Sequence, residues 1–498
     1  MKIYNKFLGI VLAITALVSS CKKDYLETAP TDKISSQTAF ETTTAAWAAL
    51  NGIHKYLYTQ FYSNQDEGGQ SANMMYMDVM GDDLLLTTST STWLLGEYRW
   101  VSHRNTAHRV PYFNYLFYYT LISNANLIID GIDGASGTDA DKKAIKGEAL
   151  AYRGWAYFQM IQLFGKRFDK TTANDGMGLP IVLHASTTAT PRSSVADVYT
   201  QINKDLDDAI VALASYTRTY KSHINLSVAK GFKARVALAQ QNWTVAAQMA
   251  LEARTGYTLL SNADYMTGFN DYTKNEWMWG IHQQADQTTY FYSFFAFMSV
   301  NFNSTAIRVC PKAINSVLYN QITATDVRKQ LWDPTGTNTA FIIPTATAGA
   351  VRKPYMSRKF MVLDQSSSIG DVPLMRASEM YLIEAEAKAR AGGQDAAAAA
   401  VLFTLAKQRD ASYVLSTKTG QALIDEIMFQ RRVELWGEGF RFYDLKRLNS
   451  DLNRTGANHD AAVAGNVLSV PAGDIRWQFV IPQSEINNTN GVVVQNPL

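Results

Sequence analysis

The chain has two cysteines in 498 residues, Cys21 and Cys310. Cys21 stands where a leader ends, so Cys310 has no intrachain partner. A disulfide framework is thereby excluded, and packing alone must hold the fold. Cys310 lies in an apolar stretch, Ile307 to Pro311, and reads as a small core filler. Charge of one sign is lacking too: 46 Lys and Arg face 44 Asp and Glu. Lys2 and Lys6 belong to the leader, and without them the two signs balance. No basic stripe remains to track phosphates, which argues against nucleic acid. Beyond the leader no run approaches the roughly 20 apolar residues that span a bilayer. Catalytic signatures are missing as well. There is no H-E-x-x-H, no G-x-S-x-G and no phosphate loop. Seven histidines are present, and none pair at metal-ligand spacing; His103 and His108 are five apart. No metal and no cofactor is expected.

What is present begins with Cys21. A basic start (Lys2, Lys6) precedes an apolar run from Phe7 to Val18, and Ser19 and Ser20 lead into the cysteine. A secretory leader with cysteine at the cleavage point reads as a bacterial lipoprotein box, Val18-Ser19-Ser20-Cys21. The expectation is a signal peptide over 1–20, a lipidated Cys21, and a polar tether over 21–36. Two or three acyl chains, at about 0.8 kcal/mol per buried CH₂, anchor stably.

The body is 47% hydrophobic and 12% aromatic, with 26 Tyr and 10 Trp. Helical periodicity dominates. Thr38 or Thr42 caps a helix carrying Ala45, Trp47, Leu50 and Ile53. A second runs from Pro111 to Asp130, with Tyr112, Tyr115, Tyr119, Ile122 and Asn126 at helical spacing. Asp141 caps a third, with Ile145, Ala149, Tyr152, Ala156, Met160 and Leu163, that Gly165 ends. Gly178 to Val182 is a short extended piece, and Ser193 or Ser194 caps a helix through Ile210. Two 34-residue stretches, Leu226 to Leu259 and Ala377 to Asp410, read as alanine-rich helical hairpins of tetratricopeptide length. The segment 261–370 and the tail from Asp451 suggest loops and short strands, with Arg476 to Ile481 alternating as a strand.

Residues Met428 to Arg447, MFQRRVELWGEGFRFYDLKR, carry the most specific motif. It resembles the C-terminal signature of SusD/RagB lipoproteins at Arg431, Arg432, Glu434, Leu435, Glu438, Gly439, Arg441, Asp444, Leu445 and Arg447. Gln430 replaces the family's usual Glu. Leu50-Asn51-Gly52, Glu148 through Gly165, Gly178-Leu179-Pro180, Pro191 to Val195, Asp205-Leu206, Arg376 through Ala387 and Gln495-Asn496-Pro497 are similar to further family segments, in the same order. The resemblance implies a mainly α fold, with tetratricopeptide-like helix pairs packed against a loop-rich half with short strands. It divides the body into an N-terminal helical half, 37–260, and a C-terminal half, 261–498. It further implies a surface-exposed, lipid-anchored outer-membrane protein that is not an enzyme. Such a protein binds an oligosaccharide and acts as a lid on a SusC-like TonB-dependent transporter. Two other readings stay open: a peptide-binding uptake lipoprotein of the same family, and a surface glycoside hydrolase using carboxylates such as Asp78, Asp82 or Asp83.

The candidate ligand contacts are aromatics in loops. Trp93, Tyr98 and Trp100 follow the polar loop Thr87 to Thr92. Tyr290 and Tyr292 share one face of YFYSFF if it is extended, with Phe291 and Phe295 turned the other way. Loop aromatics offer rigid contact area for a sugar face. Trp332 and Tyr355 are the next candidates. The charges around Arg441 read as structural: Glu438, Arg441 and Asp444 are spaced to fix a corner.

Overall fold

The computed structural model describes residues 40–61, 64–284, 290–344 and 349–498. Cys21, the leader and the tether lie outside the described residues. The fold is mainly helical with small sheets.

Local chemistry places the helix starts. α1 (Thr43–Tyr56) opens where Thr42 accepts from the Ala45 amide. α2 (Gln70–Val79) is buried along its whole length. α3 (Arg109–Gly131) carries the tyrosine stripe. α4 (Asp139–Phe164) is capped by Thr138, which accepts from the Asp141 amide, and Gly165 stops it. Asp141 is therefore inside the first turn rather than the cap. α5 (Val195–Ala212) starts on a capping box between Ser194 and Asp197. α6 (Leu226–Ala239) and α7 (Trp243–Arg254) form the first hairpin, and Asn242 caps its second arm.

In the second half, α8 (Phe295–Met298) and α9 (Thr305–Arg308) are single turns. α10 (Ala377–Ala391) and α11 (Asp395–Arg409) form the second hairpin. α12 (Gly420–Glu434) and α13 (Arg441–Arg447) frame the signature. Each long helix packs on the next: α3 on α4, α4 on α5, α5 on α6, α6 on α7, α7 on α10, and α10 on both α11 and α12. The result is a ribbon of helix pairs.

Small residues let these helices approach closely. Along α6 and α7, Ala229, Ala234, Ala246, Ala250 and Ala253 are fully buried. Gly147 on α4 faces Leu213, and an added Cβ would lie 2.8 Å from its Cγ. Arg153 on α4 closes the α5 contact through Asp205 at 2.6 Å.

The other half is built from short pieces. Strand β1 (Leu84–Leu86) opens a four-stranded antiparallel sheet. β2 (Met177–Pro180) pairs with β3 (Arg192–Ser194). β4 (Trp277–Ile281) runs antiparallel to a later strand. β5 (Lys312–Ile314), β6 (Trp332–Asp333) and β7 (Met356–Ser357) complete the sheet in the order β1-β5-β7-β6. β8 (Val372–Arg376) is the partner of β4 and leads straight into α10. The largest core cluster draws residues from Ala46 to Val493, so it spans most of the described chain. Cys310 is buried within it.

Arg476 to Ile481 is not a strand. Asp474 caps a turn of 3-10 helix over Ile475–Trp477. Phe479, Val480 and Ile481 are all fully buried, so the apparent alternation has no solvent face to match.

Candidate functional site

The signature segment is a charge lattice with long-range partners. Glu434 meets Arg376 at 3.0 Å, Arg409 at 3.1 Å and Arg328 at 3.2 Å. Glu438 pairs with Arg376 at 2.6 Å and with Lys359 at 2.7 Å. Arg441 reaches Asp82, Arg432 reaches Asp83, Arg431 and Arg447 share Asp444, and Arg447 also grips Glu386. Glu438 and Arg441 thus tie distant segments to the motif, Asp444 joins Arg431 and Arg447 within it, and the three do not pair with one another. Gln430 fills the place of the family's Glu by accepting from Arg328 at 2.5 Å.

The same lattice absorbs the aspartates considered for hydrolysis. Asp82, despite its burial, is held at about 2 by Arg441 and Arg432. Burial pushes Asp78 up to about 8, against the Gly439 amide that donates to it. These groups hold the α2–β1 segment to α12 and α13.

The predicted aromatics separate into two groups. Tyr98 and Trp100 are core residues and are corrected as ligand contacts. Tyr98 is fully buried, with its hydroxyl 2.5 Å from His459 Nδ1. Trp100 donates its indole N–H to the Met80 carbonyl at 2.9 Å and lies edge-on to Trp477. After Trp93 the chain turns inward through Leu94 at φ 62°, and Trp100 itself adopts φ 57°. A single helical turn, Leu95–Tyr98, carries the segment under the surface. Trp332 is buried too, edge-on to Trp436.

Trp93 remains half-buried, edge-on to Phe297 with ring centroids 5.9 Å apart. Tyr290–Tyr292 is a turn of 3-10 helix, not an extended strand. Period-two facing therefore fails there: Phe291 is 38% exposed, Tyr292 is half-buried, and Phe295 is buried. The Phe291 and Phe302 rings are tilted against each other with centroids 6.1 Å apart. Trp93 and this turn consequently meet the same small unit, α8 and the loop that joins it to α9. Ser304 binds the two helices by donating to the Ala296 carbonyl at 2.5 Å. Tyr355, at φ 64°, stands half-buried against Tyr319.

Two features escaped the sequence pattern. The tyrosine stripe of α3 opens onto a cleft of about 410 Å³, where Tyr112, Tyr115 and Tyr119 face Pro180, Val182 and Glu485. Helical periodicity showed the stripe but not the loop that stands across from it. Second, His54, Glu148 and His223, far apart in sequence, present ligand atoms within 4.8 Å of one another. The expectation of no metal-binding constellation rested on short spacings, which such a cluster does not use.

No helix among the described residues is long and apolar enough to cross a membrane. Residues 24–238 match a SusD-like family model described as "Starch-binding associating with outer membrane", and residues 253–498 match that of the SusD family. No curated protein matches the chain. Among solved structures, it is similar to a SusD-like carbohydrate-binding protein of Bacteroides vulgatus. They share 26% identity over 91% of this chain and 97% of that one, with a TM-score of 0.78. A SusD superfamily protein of Bacteroides thetaiotaomicron shares 24% identity over 92% of this chain and all of its own, at TM-score 0.77. A laminarin-binding SusD-like protein has the same fold at 20% identity, covering 92% of this chain and 100% of its own, with a TM-score of 0.69. With two family models covering nearly all of it and this fold behind them, the chain belongs to the SusD family.

Proposed function

We propose that this chain is a non-catalytic glycan-capture lipoprotein of the outer-membrane surface. It hands an oligosaccharide to a SusC-like TonB-dependent transporter. The observation that carries the reading is the aromatic group on α8: Trp93, Phe291 and Tyr292 stand partly exposed on short, loop-linked elements of a SusD-family chain. Rigid rings of this kind stack on the C–H faces of sugars at small entropic cost. Tyr290 belongs to the same turn and is included in the proposed contact set. The aspartates most open to a hydrolytic reading are engaged in the buried lattice.

Calorimetric titration of the purified protein with laminarin and starch oligosaccharides, beside peptides, tests this. Trp93→Ala is expected to weaken glycan binding at least about tenfold, or 1.4 kcal/mol, with the melting temperature held. Trp100→Ala is the contrast: truncating a buried Trp costs about 3–5 kcal/mol of stability. Binding of peptides and of no glycan would replace the glycan reading. Unchanged affinity in Trp93→Ala and Tyr292→Ala together would move the site elsewhere, and the cleft under Tyr112 is the next surface to test.

The anchor is tested separately. Cys21→Ser is expected to fold with an unchanged melt and to leave the membrane fraction. A variant that still pellets wholly with outer membranes would show that acylation is not the anchor.

A further inference from the structure

His54 lies in the last turn of α1, Glu148 in α4, and His223 in the loop that enters α6. His54 Nε2 is 3.1 Å from His223 Nδ1, and that nitrogen is 3.0 Å from Glu148 Oε1. The other carboxylate oxygen, Glu148 Oε2, is 3.7 Å from His54 Nε2, and one ligand atom from each residue lies within 4.8 Å of the other two. A tetrahedral zinc with bonds of about 2.0–2.1 Å holds its ligand atoms about 3.3–3.4 Å apart. The His54–His223 and His223–Glu148 separations, 3.1 and 3.0 Å, lie close to that value.

Protons alone serve this triangle poorly. His223 Nδ1 faces both other groups. If it carries a proton, one N–H is shared between the carboxylate and a second imidazole. If His54 Nε2 carries it, the bare His223 nitrogen confronts the carboxylate oxygen at 3.0 Å. A cation accepts a lone pair from all three at once.

The surroundings orient the ligands as a metal site requires. The Tyr152 hydroxyl stands 2.5 Å from His54 Nδ1, which leaves Nε2 for the centre. The Ile224 amide donates to Glu148 Oε2 at 2.8 Å and fixes the carboxylate. Such partners set the tautomer and the ring orientation of ligating side chains. Trp47 lies edge-on to His223 and stacked on Tyr216, which shields the outer side. The side chain of Glu148 is wholly buried, and those of His54 and His223 are 9% and 12% exposed. The nearest guanidinium, Arg218, donates to the His223 and Met278 carbonyls.

We propose that His54, Glu148 and His223 bind a zinc-class divalent cation that clips α1 to α4 and to the loop entering α6. Two imidazole nitrogens and one carboxylate suit a first-row transition metal, whereas calcium and magnesium take oxygen ligands. All three side chains are buried or nearly so and come from three separate elements, which gives the ion a structural role. It joins the first described long helix to the helix ribbon.

The test uses the purified protein after removal of metal by chelator. Zinc chloride titrated by calorimetry is expected to bind one ion per chain at micromolar concentration or tighter. Cobalt(II) is expected to show the strong visible absorption of a tetrahedral site. His223 sits at the rim, and His223→Gln is expected to fold as the metal-free parent does and to lose at least 100-fold in zinc affinity. Tyr152→Phe keeps the three ligands and is expected to weaken zinc by roughly 10–100-fold at unchanged stoichiometry. Millimolar calcium is expected not to compete. Zinc uptake well below one per chain, uptake equal in parent and His223→Gln, or displacement by calcium would each overturn the site.

Discussion

Glu434→Ala is expected to leave no stably folded protein. Glu434 is fully buried, and its two oxygens serve Arg376, Arg409 and Arg328 at 3.0–3.2 Å. Burial alone would raise this carboxyl; Arg409, Arg376 and Arg328 overcome that and hold it well below the usual range. Around it Arg328, Arg376, Arg409 and Lys359 are matched by Asp326, Glu276, Glu434 and Glu438, and each of these side chains is almost inaccessible. Removing Glu434 leaves four buried cations against three carboxylates, and takes from each of Arg328, Arg376 and Arg409 one of its partners. Breaking a buried pair on one side costs about 3–5 kcal/mol, and here three pairs break. Total stability of a domain is about 5–15 kcal/mol. Urea unfolding of Glu434→Ala, Glu434→Gln and Asp208→Ala measures the effect. Asp208 pairs with Lys204 in solvent, so its loss is expected to cost at most about 1 kcal/mol. Equal midpoints for Glu434→Ala and Asp208→Ala would show that the lattice contributes nothing.

That lattice was legible in the sequence only as a charged motif. Spacing of three placed Glu438, Arg441 and Asp444 near a helix end, and the inference of a structural role survives. Their partners did not follow from spacing, because Asp82, Lys359 and Arg376 come from remote parts of the chain. Helices were readable where the determinants are local. Thr42, Ser194 and Asn242 cap as side-chain chemistry dictates, and Gly165 terminates. The alanine-rich hairpins were readable because close packing needs small side chains at every turn. The candidate site was much less legible. Trp93, Tyr98 and Trp100 share one local context, a polar loop followed by aromatics. Only the left-handed residues Leu94 and Trp100 turn the latter two into the core, and nothing in the side chains announces that conformation. The expectation that Tyr290 and Tyr292 share one face failed for another reason: alternation states a face only once the backbone is extended, and here it coils. The His54 cluster depends on tertiary assembly of three elements, which no spacing rule reports.

His103→Phe is expected to be the more acid-stable protein. His103 is fully buried, with Nε2 2.8 Å from the Arg476 carbonyl and Nδ1 without a partner among the described residues. Burial, with Arg104, Lys446 and Arg476 nearby, lowers its pKa to about 3, although the Arg476 carbonyl works against the shift. The folded chain therefore keeps the ring neutral well below neutrality, while the unfolded chain takes up a proton below about pH 6.5. Where the unfolded state binds the extra proton, stability falls as the pH falls. The contribution is present above pH 6.5 and drains away toward pH 3, at about 1.4 kcal/mol per pH unit. Other groups tilt the whole curve in both directions: Asp78, pushed up to about 8, binds its proton in the folded state, whereas Asp82 and Asp444, each held at about 2, give up stability as the pH falls. The difference between parent and variant isolates the histidine. Phenylalanine keeps the ring against Trp100 and Phe479 and gives up one hydrogen bond, worth about 0.5–1.5 kcal/mol. At pH 7 the parent is expected to be the more stable by about that amount. By pH 4 the order is expected to reverse, with a relative change of about 3 kcal/mol. Urea midpoints measured for both proteins at half-unit steps from pH 7 to 4 provide the comparison. A constant offset across that range would mean that His103 is protonated in the fold, and that its neighbours do not exclude the charge.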